Sequence, residues 1–361
     1  MDLPSTTYDT ATVLNPSSAL TNFTLMVDLS RMSAAWWSAA ENTNARRGRA
    51  AKDDGTELAC DWIEYDHTGQ TGWLRVKWSG TLATSGTQVL RVYPPVAANS
   101  VQLSNAAFGS NNAYNSTWIW YTPGHNGVNR IDSSQESTAN IQLSYTTAEG
   151  KTSGSIYSGA ITSPGQGLNS YNFGIEPITD FPVSILGWFK SSNAAARSGI
   201  QHPWGFSNED NESGDYTSVG TIDGEGGGFR FITENEGVLT SVQSGAGVFN
   251  TGEWNHLATV ATSSNLTGYD LGRDTSFSTS HSNPYATTDP PDQINFPPKN
   301  ITAYGWIGEV QLHSAELSAG WLAHEHDQTD SQAAFFGTWA NTPAPTPSTY
   351  QTRSRTRDRS R

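Results

Sequence analysis

Residues 305–327 read GWIGEVQLHSAELSAGWLAHEHD, and this stretch decides the fold class. Its first half alternates. Trp306, Gly308, Val310 and Leu312 fall on one side and Glu309, Gln311 and His313 on the other, the period of a β-strand with one face on a core. The second half changes period: Ser318 is placed to cap a short helix starting at Ala319, with Leu317 before the cap packing on Leu322 as a hydrophobic staple. On such a helix His324 and His326 point about 200° apart, so they do not converge on one metal as an i,i+4 pair would. His313 is expected to face away from the core, and Glu325 and Asp327 to solvate the helix end. A closing strand and its helical cap explain the pattern without chemistry.

Working outward, FPVSILGWFKS (residues 181–191) is apolar on both faces, Val183 and Ile185 on one and Leu186 and Trp188 on the other, and predicts a central strand covered on both sides. GFRFITE and EWNHLATVAT add further strands. Upstream, LTNFTLMVDL, CDWIEYD, GWLRVKWSG and TQVLRVYPP are short alternating runs separated by Gly, Asp and Ser turns such as Asp54-Gly55, the texture of an antiparallel sandwich. Ser33 is placed to cap a short helix carrying Trp36 and Trp37. Between HLATVATSSN and NITAYGW lie about 35 residues rich in Ser, Thr, Pro, Asn and Asp, longer than ordinary connections and read either as a functional loop or as a decorated one containing a strand at QINF. The last residues, NTPAPTPSTYQTRSRTRDRSR, read as a Pro/Thr linker and an Arg/Ser tail.

A length of 361 residues with 35% apolar and 11% aromatic residues fits two domains: 1–118, an N-terminal β-sandwich; 119–339, a second sandwich; and 340–361, linker and tail. Only 15% of residues are charged, which disfavours long charged helices. The net charge of −14 makes a poor nucleic-acid ligand. The one cysteine, Cys60, excludes an intrachain disulfide and reads as a small buried residue. The N-terminus has no secretory pattern, and nowhere do 18 uninterrupted apolar residues occur, so no membrane span is expected.

FPVSILGWFKS, GEWNHLATVAT and GWIGEVQLHSAELSAGWLAHEHDQ, in this order and spacing, resemble the laminin G-like, concanavalin A-like lectin/glucanase superfamily, whose pattern often ends in Gly-x-Ile-Asp-Glu-Val and a short helix. The segments from LTNFTLMVDL to FGSNNAYNSTWIWY resemble a domain of unknown function found ahead of such lectin-like domains in bacterial surface and phage proteins. The resemblance spans roughly residues 8 to 337 and implies an all-β chain of two sandwiches, the second a concanavalin A-like jelly roll. Gly308 departs from it, standing where the pattern commonly has aspartate.

Catalytic signatures are weak. Retaining glucanases on this fold use Glu-x-Asp-x-x-Glu; Glu64-Tyr65-Asp66 is the nearest match, without the third acid. Gly150-Lys151-Thr152 lacks the rest of a phosphate loop. No cofactor is expected. NEDNESGD (residues 208–215) offers oxygen ligands suited to calcium, with Asp210, Glu212 and Asp215 as candidates. Trp204, flanked by Pro, Gly and acids, is the expected exposed sugar-stacking residue, followed by Tyr285, with Asn208 as a polar partner. Together these point to a non-enzymatic surface or virion protein, of the phage decoration or fibre type, that binds a glycan or a virion or cell-surface protein and forms a homo-oligomer. A glycoside hydrolase or lyase on the same fold and a purely architectural oligomer are the alternatives.

Overall fold

The computed structural model describes residues 7–122, 129–131, 143–146, 155–158, 171–175, 178–191, 200–207, 216–222, 228–235, 238–244, 252–280, 291, 293–296 and 305–342. The strand Val183–Ser191 is central, as its two apolar faces require, and pairs antiparallel with Trp254–Ala261 on one side and Gly305–His313 on the other. The eight-stranded sheet built on it continues through Asn265–Asp270 to Thr275–Ser280 in one direction and through Ser155–Ser158 to Leu143–Thr146 in the other. Trp118–Thr122 also pairs with Gly305–His313.

Val183, Ile185 and Phe189 meet Trp204, Phe206, Phe229, Phe231 and Ile294 of a six-stranded sheet, closing an antiparallel sandwich. The QINF stretch is one of its strands, Gln293–Phe296. The two sheets touch closely at Gly268, where an added Cβ would lie 1.9 Å from the Phe231 ring. The chain is thus all-β in class.

The other face of Val183–Ser191 turns toward the N-terminal half. There Leu186, Ala258 and Val260 join Phe23, Leu25, Trp36, Leu74 and Val76 in one apolar cluster with Leu317, Trp321 and Leu322. Ser33 caps the helix Ala34–Ala39 by accepting from the Trp36 amide, and Ser318 caps Ala319–Asp330 by accepting from that of Trp321. That second helix seals the edge of the strand Thr24–Asp28. The Gln328 amide accepts from the Met26 N–H at 2.8 Å and donates to the Thr24 carbonyl at 3.1 Å; Gln332 does the same for Asp28 N–H and Met26 carbonyl at 3.1 and 2.8 Å. Two side chains four residues apart, Gln328 on this helix and Gln332 opening the short helix Gln332–Phe335, thereby replace a missing β-partner and leave no unpaired edge at those groups.

Three expectations need correction. Glu309, Gln311 and His313 do not face water: they are 2%, 1% and 0% exposed, because the N-terminal sheet and the helix cover that face. Glu325 does not solvate the helix end but is fully buried, whereas Asp327 is exposed. Residues 340–342, placed in the linker, form the strand Ala340–Thr342, which pairs with Tyr8–Thr12 and extends the five-stranded N-terminal sheet. Cys60 is buried, and burial pushes its thiol up to about 12. Among the described residues no helix is long and apolar enough to cross a membrane.

Candidate functional site

Two polar constellations stand out, one sealed and one open. The sealed one centres on Arg75, from the strand Thr71–Lys77, which has no solvent exposure. Its Nη2 donates to Glu325 Oε1 at 2.9 Å and to Glu309 Oε1, and Gln311 Nε2 donates to the same two carboxylates at 2.7 and 2.6 Å. The Tyr121 and Trp118 rings lie 5.1 and 5.8 Å from the guanidinium. Burial opposes the charge on Arg75, but Glu309 and Glu325 outweigh it and hold the guanidinium well above its ordinary range. Burial pushes the Glu309 carboxyl up to about 7, with Arg75 opposing and Glu325 adding to the rise. A carboxylate pair flanking a glycosidic bond needs a cleft between its members. This pair instead shares one guanidinium out of reach of solvent, so it ties the two halves of the chain together.

The buried histidines beside it set the acid response. Burial, aided by Arg75, lowers His313 to about 3, and burial lowers His324, packed against Phe23 and Phe335, to about 4. The native state keeps both rings neutral, while the unfolded chain takes up their protons below about 6.5. Stability is therefore lost as pH falls from about 6.5 toward these folded values. Thermal melts between pH 7 and 4 should show a shallower acid loss for His324→Leu than for the unsubstituted chain; parallel curves would show that His324 is not the group responsible.

The open constellation lies on the same sheet face, beyond the helix; a bulge in the strand Gly305–His313 puts Ile307 in the core with Val310 and turns Trp306, expected on the core side, onto this face. Lys190 is the direct neighbour of Trp254 on one adjacent strand and of Trp306 on the other. Directly paired residues project to one side of a sheet, so the three form a row, and all three are partly exposed. Lys190 Nζ sits 5.0 Å from the centre of the Trp306 ring, a cation–π contact. The Trp254 indole leans across the central strand toward Gly308: a Cβ there would be 3.3 Å from its Cζ3 and 3.0 Å from Trp188 Cβ. An aspartate at 308, as the resembled pattern has, would compete with this indole for space. Inward along the face, Trp188 is buried, stacks on His256 at 4.3 Å and donates from Nε1 to Thr329 Oγ1 at 3.2 Å. The row is thus anchored at its inner side. Two strand spacings of about 4.8 Å separate Trp254 from Trp306, a span suited to a sugar ring. Indole faces pack against pyranose C–H groups, and the ammonium between them is a charged donor.

No family model and no curated protein matches the chain. Among solved structures it is similar to the botulinum neurotoxin serotype D binding domain, with TM-score 0.42 and 12% identity over 58% of this chain and 51% of that one. Domain 4 of AbnA, a GH43 extracellular arabinanase from Geobacillus stearothermophilus, gives TM-score 0.36 and 13% identity over 56% and 85%. The CBM40 of Ruminococcus gnavus IT-sialidase gives 0.32 and 13% over 39% and 80%. The chain spans about half the length of the first of these. At such scores function rests on the chain's own residues.

The expected stacking residue, Trp204, is not exposed. It lies in the strand Ile200–Ser207 with no solvent exposure, packed between the two sheets of the sandwich. The Pro and Gly beside it signalled a loop, but strand pairing on both sides prevails. Asn208, Asp210, Glu212, Asp215 and Tyr285 lie outside the described residues. Glu64 is partly exposed and its carboxyl is raised by burial and by Asp66, yet Asp66 Oδ1 accepts from the Thr68 and Gly69 amides at 2.9 and 3.0 Å and serves its own turn. Trp254 and Trp306 were hidden among thirteen tryptophans. The available signal was Lys190, one of only five lysines, two residues from Trp188 on an otherwise uncharged strand.

Proposed function

We propose that this chain is a non-enzymatic glycan-binding protein of a virion or cell surface, and that the Trp254–Lys190–Trp306 row is its sugar platform. The single observation that carries this is the placement of two partly exposed indoles on either side of a lysine in adjacent strands. Exposed aromatic rings on a rigid sheet favour binding because little side-chain freedom is lost on contact. The non-enzymatic reading is supported by the carboxylates: Glu309 and Glu325 share Arg75 inside the protein, and Asp66 is engaged in a turn. The lectin-like resemblance agrees with a binding role. The virion or surface setting is supported by a lysine-poor chain with one cysteine.

A glycan array together with a reducing-end assay over a polysaccharide panel tests the function. Retention on the array without new reducing ends is expected. Release of reducing ends would make the chain a hydrolase or lyase, and an empty array would remove the glycan role. Immunoblots of purified particles against envelope fractions test the setting.

A further inference from the structure

We infer that His256 and His326 form a two-histidine chelate for a divalent transition ion of the zinc class. His256 comes from the strand Trp254–Ala261 and His326 from the helix Ala319–Asp330, and their Nδ1 atoms are 3.2 Å apart. Both rings lie against the Trp188 indole, at 4.3 Å and 17° for His256 and 5.4 Å and 26° for His326. One flat aromatic surface therefore fixes the orientation of two rings that meet from different elements. Two ring nitrogens facing each other at this distance share either one proton, as donor and acceptor of a hydrogen bond, or one metal ion. Zinc–nitrogen bonds of about 2.0–2.1 Å at a tetrahedral angle place two imidazole nitrogens roughly 3.3–3.4 Å apart, so the pair already stands near the spacing a zinc ion requires.

The surroundings suit an open site. His256 is 2% exposed, while His326 is partly exposed and leaves solvent a way in. Among the described residues no third His, Cys, Asp or Glu side chain joins the pair, which therefore supplies two ligands. A buried acceptor lies nearby: Asp270 is 1% exposed, its Oδ2 receives Arg273 Nη1 at 2.7 Å, and its Oδ1 has no hydrogen-bond partner among the described residues. A Cβ at Gly272 would lie 3.8 Å from that Oδ1 and 3.9 Å from His326 Cε1. The backbone at 272 thus lies between carboxylate and imidazole. A carboxylate beside a histidine site orients the ligands or holds a metal-bound water.

Titration calorimetry of the full chain with zinc chloride after chelator treatment tests the site, with the visible absorption of bound Co2+ as a second readout. One saturable ion per chain is expected, weakened at least tenfold in His326→Gln and in His256→Gln and unchanged in His67→Gln, with far-UV circular dichroism confirming that each variant is folded. Because ligating imidazoles must be neutral, affinity should fall in acid. No saturable binding to the unsubstituted chain at micromolar zinc would overturn the inference, as would unchanged binding in folded His326→Gln. Should His256→Gln fail to fold, the partly exposed His326 position and the unsubstituted chain still decide the matter.

Discussion

Arg75→Met is expected to destabilise the chain by about 3–5 kcal/mol, because it leaves two buried carboxylates without the cation that holds them. Arg75 is fully buried and is the shared partner of Glu309 and Glu325, with Gln311 donating to both. Methionine fills much of the space between the Tyr121 and Trp118 rings, so lost packing is the smaller part of the effect. Glu309→Gln should behave oppositely. It removes one of two negative charges facing a single arginine and keeps a hydrogen-bonding group in place, so its cost should be under 1 kcal/mol, within the usual range for a preserved hydrogen bond. Urea unfolding of both variants provides the test. Equal losses in the two would show that charge balance is not what holds this contact.

The same network fixes a pH dependence that ends near neutrality. Burial and Glu325 raise Glu309 to about 7 in the folded chain, above its ordinary 4.5. The folded state therefore keeps this proton to higher pH than the unfolded state. The stability it supplies is full below about 4.5 and is lost as pH rises through 7. His313 and His324 act in the other direction on the acid side, so the two effects together favour the folded state most strongly near pH 6.5. Glu309→Gln should remove the loss between about pH 6.5 and 7 and steepen the acid limb between about 4.5 and 6.5, where Glu309 opposes the histidines.

Particular residues show what could be read from sequence. Val183 and Ile185 against Leu186 and Trp188 identified the central strand because side chains alternate along a strand, and two apolar faces require two covers. Ser33 and Ser318 were legible as caps because their hydroxyls act within three residues. His313 and Glu325 were not legible. A polar strand face predicts solvent unless a polar partner covers it, and here the partner, Arg75, lies more than 230 residues away in the chain from Glu309. Gln328 and Gln332 were silent for the same reason: the edge they seal belongs to residues 24–28. Trp254 was hidden because its exposure depends on an indole resting over Gly308, a contact between strands that are not neighbours in sequence.

That contact makes the platform testable without dismantling the fold. Trp254→Ala and Trp306→Ala should each weaken glycan binding by about 10–100-fold, the 1.4–2.8 kcal/mol typical of an aromatic anchor. Both side chains are partly exposed, so melting should change little. Lys190→Gln should lower affinity and reduce its dependence on salt, since only the ammonium interacts through charge. Gly308→Asp is the sharper probe. Its Cβ would stand 3.3 Å from the Trp254 ring and 3.0 Å from Trp188 Cβ, so the indole must shift while every platform residue remains present. If binding depends on the position of that ring, Gly308→Asp should weaken it nearly as much as Trp254→Ala does. Undiminished affinity in both would place the sugar elsewhere on the protein, whereas loss in Trp254→Ala alone would show that contact area, and not the register of the ring against Gly308, governs recognition.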